Sequence, residues 1–204
     1  MKGVFISIEG PDRVGKSTQG RLLRDKLRDA GVPCILTKEP SDDKIGIFLR
    51  KEIHGKGFYP ETEALLFAAD RLEHYRRVIL PSLNEGKVVI SVRYLLSSLV
   101  YQSISGVDIE WIEEINKYSG VPDLTIVLLS DKETIIDRIR KKKRKSKFES
   151  EEFQEMVIEK YRQISRDLSR KHFWNIEIIE TGMDLEETSE KVMRAVSPVI
   201  SKVY

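Results

Sequence analysis

Residues 10–17 of the chain have the residue types and the spacing of a loop that binds phosphate. Gly10, Gly15, Lys16 and Ser17 fit the pattern G-x-x-x-x-G-K-[ST]. In such a loop the glycines let backbone N–H groups approach phosphate oxygens, and the lysine adds a positive charge. A serine at the last position holds a Mg²⁺ ion that bridges the phosphates. The pattern therefore predicts a nucleoside triphosphate site with Ser17 as the metal ligand.

The elements on either side of this loop are those that the motif requires. An apolar run at residues 4–8 predicts a strand before it, and apolar residues at helical spacing follow at positions 22–30. A strand, a glycine-rich turn and the N-terminus of a helix together make an anion site. The alternative is a glycine-rich turn without a ligand. The residues predicted to contact the triphosphate are Gly10, Pro11, Asp12, Arg13, Val14, Gly15, Lys16, Ser17 and Thr18.

The composition limits the kind of protein. With 204 residues the chain is long enough for one well-buried core and short for two, so we predict a single domain over residues 1–204. Its one cysteine, Cys34, excludes a disulfide within the chain. The sequence has no apolar run of about eighteen residues and no apolar leader, which predicts a cytoplasmic protein with no membrane partner. The net charge of +2 gives no general attraction to nucleic acid, which is not expected as a partner.

Strand and helix patterns alternate along the chain. Continuous apolar runs between turn signals predict buried strands, and apolar residues three and four apart predict helices. Alternation of this kind predicts an α/β fold of the P-loop NTPase type, with a doubly wound, parallel, five-stranded sheet flanked by helices. Ser41 is the expected N-cap of a helix that ends near His54, and a kink is expected before Pro81. The predicted strands are 4–8, 32–37, 87–92, 124–129 and 174–179, and the later helices are 60–83, 95–104, 108–119, 131–142, 150–171 and 184 onward.

Features outside the phosphate loop indicate which class of nucleotide-binding protein this chain belongs to. A GTPase needs a guanine-recognition sequence, and the pair Asn116-Lys117 is not followed by the expected aspartate. Motor and recombination ATPases are usually longer and carry extra lobes. A short α/β chain with inserted helices and a basic segment best fits a nucleoside monophosphate kinase. A nucleic-acid-stimulated ATPase remains the alternative from another class.

Residues 138–147 carry eight cations in ten positions. In a kinase this segment would be a short basic lid, at about 140–150, that closes over ATP and places an arginine such as Arg140 beside the transferring group. Two other interpretations are a solvated helix end and a patch that binds nucleic acid. Its position after the fourth strand, between two helices, favours the lid.

Four segments together resemble the thymidylate kinase family, and the resemblance covers nearly the whole chain. Residues 9–19 are similar to its first signature, including an arginine in the loop, and Lys38-Glu39-Pro40 is similar to its second. Residues 66–71 resemble its base-binding helix, and Arg93-Tyr94 with residues 97–102 resembles the segment after its third strand. The resemblance implies transfer of the γ-phosphoryl group of ATP to thymidine monophosphate (dTMP), with Mg²⁺ as cofactor and a homodimer as the assembly.

The family's site residues map onto this chain by position. The resemblance implies that Asp12 accepts a hydrogen bond from the sugar 3′-hydroxyl, that Phe67 stacks on thymine and that Tyr101 crowds the 2′ position. Taken without the resemblance, Phe67 and Tyr101 would be packing residues and the arginines surface cations. The implied substrate-binding residues are Asp12, Glu39, Arg50, Phe67, Arg71, Arg93, Ser98 and Tyr101, with Arg71 and Ser98 at the base and Arg93 and Arg50 at the acceptor phosphate. The implied catalytic residues are Lys16, Arg13, Arg93, Glu9 and Arg140.

One position departs from the family pattern. Val92 precedes Arg93-Tyr94 where the family has an aspartate that helps to organise Mg²⁺. Three explanations are open: a bulge shifts the register, the metal relies on Ser17 and on Glu9 through water, or catalysis is weak. The second is our hypothesis. The third would make the chain a catalytically impaired nucleotide-binding protein. Because Ser98 offers fewer hydrogen-bonding groups than an amide, dUMP is a further possible acceptor.

Overall fold

Five parallel strands form the centre of the protein. The computed structural model describes residues 2–52, 57–130, 134, 151–171, 174–182 and 184–203. Mostly apolar runs form the three central strands, in which every residue is buried because helices cover both faces. The strand order is β2-β3-β1-β4-β5, which confirms the predicted doubly wound sheet. The strands are β1 (Val4–Glu9), β2 (Cys34–Lys38), β3 (Val88–Val92), β4 (Leu124–Leu129) and β5 (Ile176–Glu180).

Helices cover the two faces of the sheet and give two apolar clusters. In one cluster Ile6 and Ile8 of β1 pack with Leu23 and Val192; in the other, Phe5 of the same strand packs with residues of the opposite layer. Successive residues of a strand point to opposite faces, so β1 contributes to both. The helices are α1 (Lys16–Asp29), α2 (Lys44–Glu52), α3 (Pro60–His74), α4 (Leu80–Asn84), α5 (Leu95–Ile104), α6 (Ile109–Ile115), α7 (Glu151–Lys171) and α8 (Leu185–Ile200).

The helix predicted for residues 60–83 is interrupted just before Pro81. A π-helical turn, Tyr75–Ile79, separates α3 from α4, and the N–H of Leu80 donates to the carbonyl of Tyr75. Proline has no N–H for the carbonyl of Arg77 and its ring crowds the preceding turn, so a wider turn relieves both problems. The predicted kink is therefore a π-turn.

Two other helix predictions need correction. Helix α2 begins at Lys44 and not after Ser41, because its first backbone bond runs from the N–H of Ile47 to the carbonyl of Asp43, at 2.8 Å. The amide and hydroxyl of Ser41 donate instead to Asp70 on α3, at 2.7 and 2.6 Å. Helix α6 ends at Ile115, four residues early. The helix predicted for 131–142 lies almost wholly outside the described residues. Within the described part of the chain, no helix has the length and apolar character needed to cross a bilayer.

Candidate active site

The phosphate-binding loop connects β1 to α1, and its backbone needs two glycines. Gly10 has φ 134°, and a Cβ there would lie 2.1 Å from the carbonyl oxygen of Leu128 on β4. Gly15 has φ 106° and precedes the first turn of α1. Only glycine adopts such conformations readily. The loop thus lies against the end of β4 and leads directly into the N-terminus of α1, the position at which an anion site forms.

Lys16 is buried, and its ammonium donates to the carbonyl oxygens of Gly10 and Pro11 at 2.9 and 2.6 Å. Burial lowers the pKa of Lys16 to about 7, and the positive charge of Arg93 acts in the same direction. The carboxylates of Asp12 and Glu9 act against this shift. The lysine therefore lies beneath the loop in a site that favours added negative charge.

Two cavities open on either side of Asp12 and Arg93. The first, which we name the P-loop cavity, measures about 860 Å³; its lining includes Asp12, Arg13, Gly15, Lys16, Ser17, Thr18, Val92 and Arg93. The second, which we name the Arg71 cavity, measures about 200 Å³; its lining includes Asp12, Glu39, Phe67, Arg71, Arg93, Ser98, Tyr101 and Gln102. Asp12, Glu39 and Arg93 line both. Two ligands could therefore meet at these three side chains.

Arg93 and Asp12 form an ion pair where the cavities meet. The guanidinium also donates to Ser97 at 3.0 Å and lies 5.1 Å from the centre of the Tyr101 ring. Although burial acts to raise it, the pKa of Asp12 is lowered by Arg93 and Lys16, so the carboxylate stays charged. Burial raises the pKa of Tyr101 to about 12, which keeps its hydroxyl protonated.

Arg71 is almost fully buried at the end of the Arg71 cavity, and three elements fix its guanidinium. Nε donates to Glu39 at 2.9 Å, Nη1 to Asn116 at 2.7 Å, and Nη2 to Ser98 at 2.9 Å and to the carbonyl of Tyr94 at 3.2 Å. A guanidinium has five N–H donors. Among the described residues, the second hydrogen of Nη1 has no acceptor. One N–H group of this rigidly held guanidinium is thus available to a ligand.

The structure brings together most of the residues predicted to bind substrate. Asp12, Glu39, Phe67, Arg71, Arg93, Ser98 and Tyr101 all line the Arg71 cavity. Arg50 does not line it. Its guanidinium donates to the carbonyls of Pro40 and Ser41 and to Asp42, so it braces the loop after β2. Within the phosphate loop, Gly10, Pro11 and Val14 are buried. The other residues predicted to contact the triphosphate line the P-loop cavity.

The expected contact between Glu9 and a metal through water is not supported. Glu9 is fully buried, and its two oxygens accept from the N–H of Tyr94 at 2.8 Å and from the Ser97 hydroxyl at 2.5 Å. Ile8 faces α1, so the next residue along the strand faces α5, away from the P-loop cavity. Burial raises the pKa of Glu9, whereas the Ser97 hydroxyl and nearby arginines favour its charged form.

Val92 occupies a regular position at the end of β3. The ladder between β1 and β3 runs without a bulge from Val4 opposite Val88 to Ile8 opposite Val92. The Val92 side chain lies beside Gly20 of α1 and lines the P-loop cavity. A shifted register therefore does not explain the missing aspartate.

Sequence reasoning missed three polar residues near these cavities. Asn116 was weighed only for a guanine-recognition sequence, but it fixes Arg71. Gln102 lies one helical turn beyond Ser98, a spacing that could have revealed it; its Nε2 is 3.4 Å from Glu63, and its buried Oε1 has no partner in the described structure. Thr181 lines a third cavity beyond the phosphate loop, together with Gln19. Arg140 and the whole basic segment, residues 138–147, lie outside the described residues, so the lid remains a prediction.

Comparison with known proteins gives consistent matches. The model of the family described as thymidylate kinase matches residues 8–192. A probable thymidylate kinase of Thermococcus kodakarensis is 38% identical over 209 residues, which cover 98% of this chain and all of the relative. One of Pyrococcus horikoshii is 47% identical over 134 residues, or 63% of this chain and 65% of the relative.

Bacterial relatives match as well. A thymidylate kinase of Pelotomaculum thermopropionicum is 39% identical over 183 residues, 84% of each chain. None of these matches supports a nucleic-acid-stimulated ATPase. The family match spans the phosphate loop and all the residues that line the P-loop cavity and the Arg71 cavity. The chain belongs to the thymidylate kinase family.

Proposed function

We propose that this protein transfers the γ-phosphoryl group of ATP to dTMP and releases thymidine diphosphate and ADP. The observation that carries the proposal is the pair of cavities joined at Asp12 and Arg93. A triphosphate on the phosphate loop would present its terminal group to an acceptor in the Arg71 cavity. Holding both reactants in line supplies much of the rate enhancement in phosphoryl transfer. No general base is needed, because the acceptor phosphate is already an anion at neutral pH.

On the donor side, loop N–H groups and Lys16 would bind the phosphates, and Arg13 would lie beside them. The adenosine part would extend toward the third cavity, where Gln19 and Thr181 each have a buried oxygen without a partner in the described structure. Buried polar atoms of this kind usually find a partner when a ligand binds.

On the acceptor side, the Arg71 cavity suits a pyrimidine nucleotide. Phe67 would stack on the base, and the remaining Nη1 hydrogen of Arg71 would donate to a base carbonyl. Ser98 and Gln102 offer oxygens to the N3–H of the base, which thymine and uracil share. Arg93 would hold the phosphate at the cavity junction, and Asp12 would accept from the sugar hydroxyl.

The residues at the P-loop cavity fit a Mg²⁺ ion that arrives on ATP. Ser17 is exposed in the first turn of α1 and lines the cavity, so its hydroxyl would be the protein ligand. Magnesium usually keeps several waters and binds through substrate phosphates, so one protein oxygen is sufficient. The bound ion would neutralise charge on the phosphates. Val92 offers no ligand.

The experiment that tests this proposal measures ADP formation from ATP and Mg²⁺ with a panel of nucleoside monophosphates. We expect dTMP to give the highest kcat/KM, dUMP a lower value, and dCMP, dAMP and dGMP little turnover. Binding of ATP and dTMP without ADP formation would instead identify an impaired protein, and the proposal would be wrong.

We expect ATP binding to take up a proton at Lys16. Without ATP the pKa of Lys16 is about 7, so its side chain is mostly the neutral amine at pH 8. A bound triphosphate raises this pKa, so ATP affinity should fall as pH rises from about 7 to 9. Titration calorimetry at pH 8, in two buffers with different ionisation enthalpies, should show uptake of close to one proton. No uptake in the wild type, or equal uptake by Lys16→Arg, would contradict the prediction.

We further propose a cytoplasmic homodimer built from 1–204 single-domain subunits. Leu65 is 50% exposed on α3, and Ala69 and Leu72 lie on the same helical face. A second copy covering this face would remove apolar area from water. Sedimentation should show a dimer for the wild type and a monomer for Leu65→Glu. The exposed Met156 on α7 gives a matched control, and Met156→Glu should leave the dimer intact.

A further inference from the structure

The Glu9 carboxylate connects the first strand to the segment that carries Arg93. One oxygen accepts from the backbone N–H of Tyr94 at 2.8 Å, and the other accepts from the hydroxyl of Ser97 at 2.5 Å. Glu9 itself has no exposed surface. A fully buried carboxylate is costly unless its oxygens are bonded, and here both are. Neither oxygen is directed at a ligand.

The hydroxyl of Ser97 links Glu9 to Arg93 through two hydrogen bonds. A serine hydroxyl has one proton to donate and two lone pairs that accept. Its proton goes to Glu9, so its lone pairs face the Nη1 of Arg93 at 3.0 Å and the hydroxyl of Tyr161 at 3.0 Å. The acceptor oxygen of Glu9 therefore decides which way the hydroxyl points, and that direction leaves a lone pair to which Arg93 can donate.

The backbone at Arg93 is also held by its neighbours. Arg93 has φ 69°, a left-handed conformation that non-glycine residues adopt at a cost. The N–H of Arg93 donates to Ile8 at 2.9 Å, and the carbonyl of Arg93 accepts from Ser91 at 2.8 Å. With the bond from Tyr94 to Glu9, the peptides on both sides of Arg93 are fixed to β1 or β3.

We propose that Glu9 is a positioning residue, whose buried carboxylate acts through Ser97 and the Tyr94 amide to aim the Arg93 guanidinium at the acceptor phosphate. The inference rests on the proposed function, because it takes Arg93 as the residue that binds the phosphate of dTMP. It gives Glu9 a role on the acceptor side of the site, away from the metal. It also explains why an acid is useful at a position that no ligand reaches.

The test is a double-mutant cycle of Glu9→Gln and Ser97→Ala. The glutamine has nearly the same shape, but its amide nitrogen only donates. Facing Tyr94 it would lose that bond, and facing Ser97 it would reverse the bond, so that the hydroxyl proton has to turn away from residue 9. Each single variant should lower kcat/KM for dTMP about 10- to 100-fold, as outer partners of a site do, with KM for ATP changed less than about twofold. The double variant should have a kcat/KM for dTMP no lower than that of the less active single variant, because both residues act through the same series of hydrogen bonds.

Ser7→Ala is the matched control. Ser7 also lies on β1, is buried, and donates to Thr125 at 3.0 Å without contact to Arg93. Its kinetic constants should equal those of the wild type. If Glu9→Gln does not fold in a thermal scan, Ser97→Ala carries the test, because it leaves the bond between Glu9 and Tyr94 intact.

Three outcomes would overturn the inference. Glu9→Gln could leave the dTMP constants unchanged, the two effects could multiply in the double variant, or KM for ATP could rise as much as KM for dTMP. Failure of the proposed function looks different, because the wild type itself would then not phosphorylate dTMP.

Discussion

Arg93→Ala should lower kcat/KM for dTMP about 10³-fold while KM for ATP changes little. Loss of a single preorganised cation at a transferring group typically costs two to three orders of magnitude or more. Arg93 lies where both cavities meet, paired with Asp12, so its removal leaves the acceptor phosphate without its fixed partner. Steady-state kinetics with each substrate varied in turn will separate the two effects.

Two variants make this result specific. Arg93→Lys keeps the charge but loses the planar fork, so it should recover only part of the activity. Arg76→Ala removes an exposed guanidinium from the π-helical turn and should behave as the wild type. Equal losses for ATP and dTMP in Arg93→Ala would show that this arginine serves the donor side, against our assignment.

The fold was predictable because its signals are local. Each buried strand is a mostly apolar run, and the phosphate loop is contiguous in sequence, so neither depends on distant residues. The errors came where a distant partner intervenes. Ser41 is the residue type of an N-cap, but its amide and hydroxyl both donate to Asp70, 29 residues away, and α2 begins only at Lys44.

Most residues that line the Arg71 cavity could be named from the sequence, but the hydrogen bonds that hold them could not. The resemblance identified Arg71 and Glu39, but not Asn116, which lies 45 residues from Arg71 and holds it. Glu9 was expected near the metal because it precedes the phosphate loop. The alternation of side chains along β1 instead turns it toward α5, and that alternation could have been counted from Ile8. The direction of the hydrogen bonds at the Ser97 hydroxyl depends on Glu9, Arg93 and Tyr161, which lie in separate parts of the fold. No spacing in the sequence reveals this arrangement.

Arg71→Met should destabilise the protein by about 3 to 5 kcal/mol and abolish efficient use of dTMP. The side chains of Arg71 and Glu39 are 1% and 3% exposed. Removing the cation leaves a buried carboxylate whose remaining ion-pair partner, among the residues the structure describes, is His74 at 3.2 Å. Breaking a buried pair by removing one partner costs about this much, because the remaining charge has no compensation. The urea midpoint of unfolding and KM for dTMP are the two measurements.

The double variant Arg71→Met with Glu39→Gln separates folding from recognition. Neutralising Glu39 removes the uncompensated charge, so stability should recover by about 1 to 3 kcal/mol relative to Arg71→Met. Phosphorylation of dTMP should stay low, because the donor that reads the base carbonyl is still absent. If stability and dTMP use recover together, Arg71 serves only to hold Glu39 and the acceptor base is read elsewhere. If neither recovers, the buried pair is not the source of the lost stability.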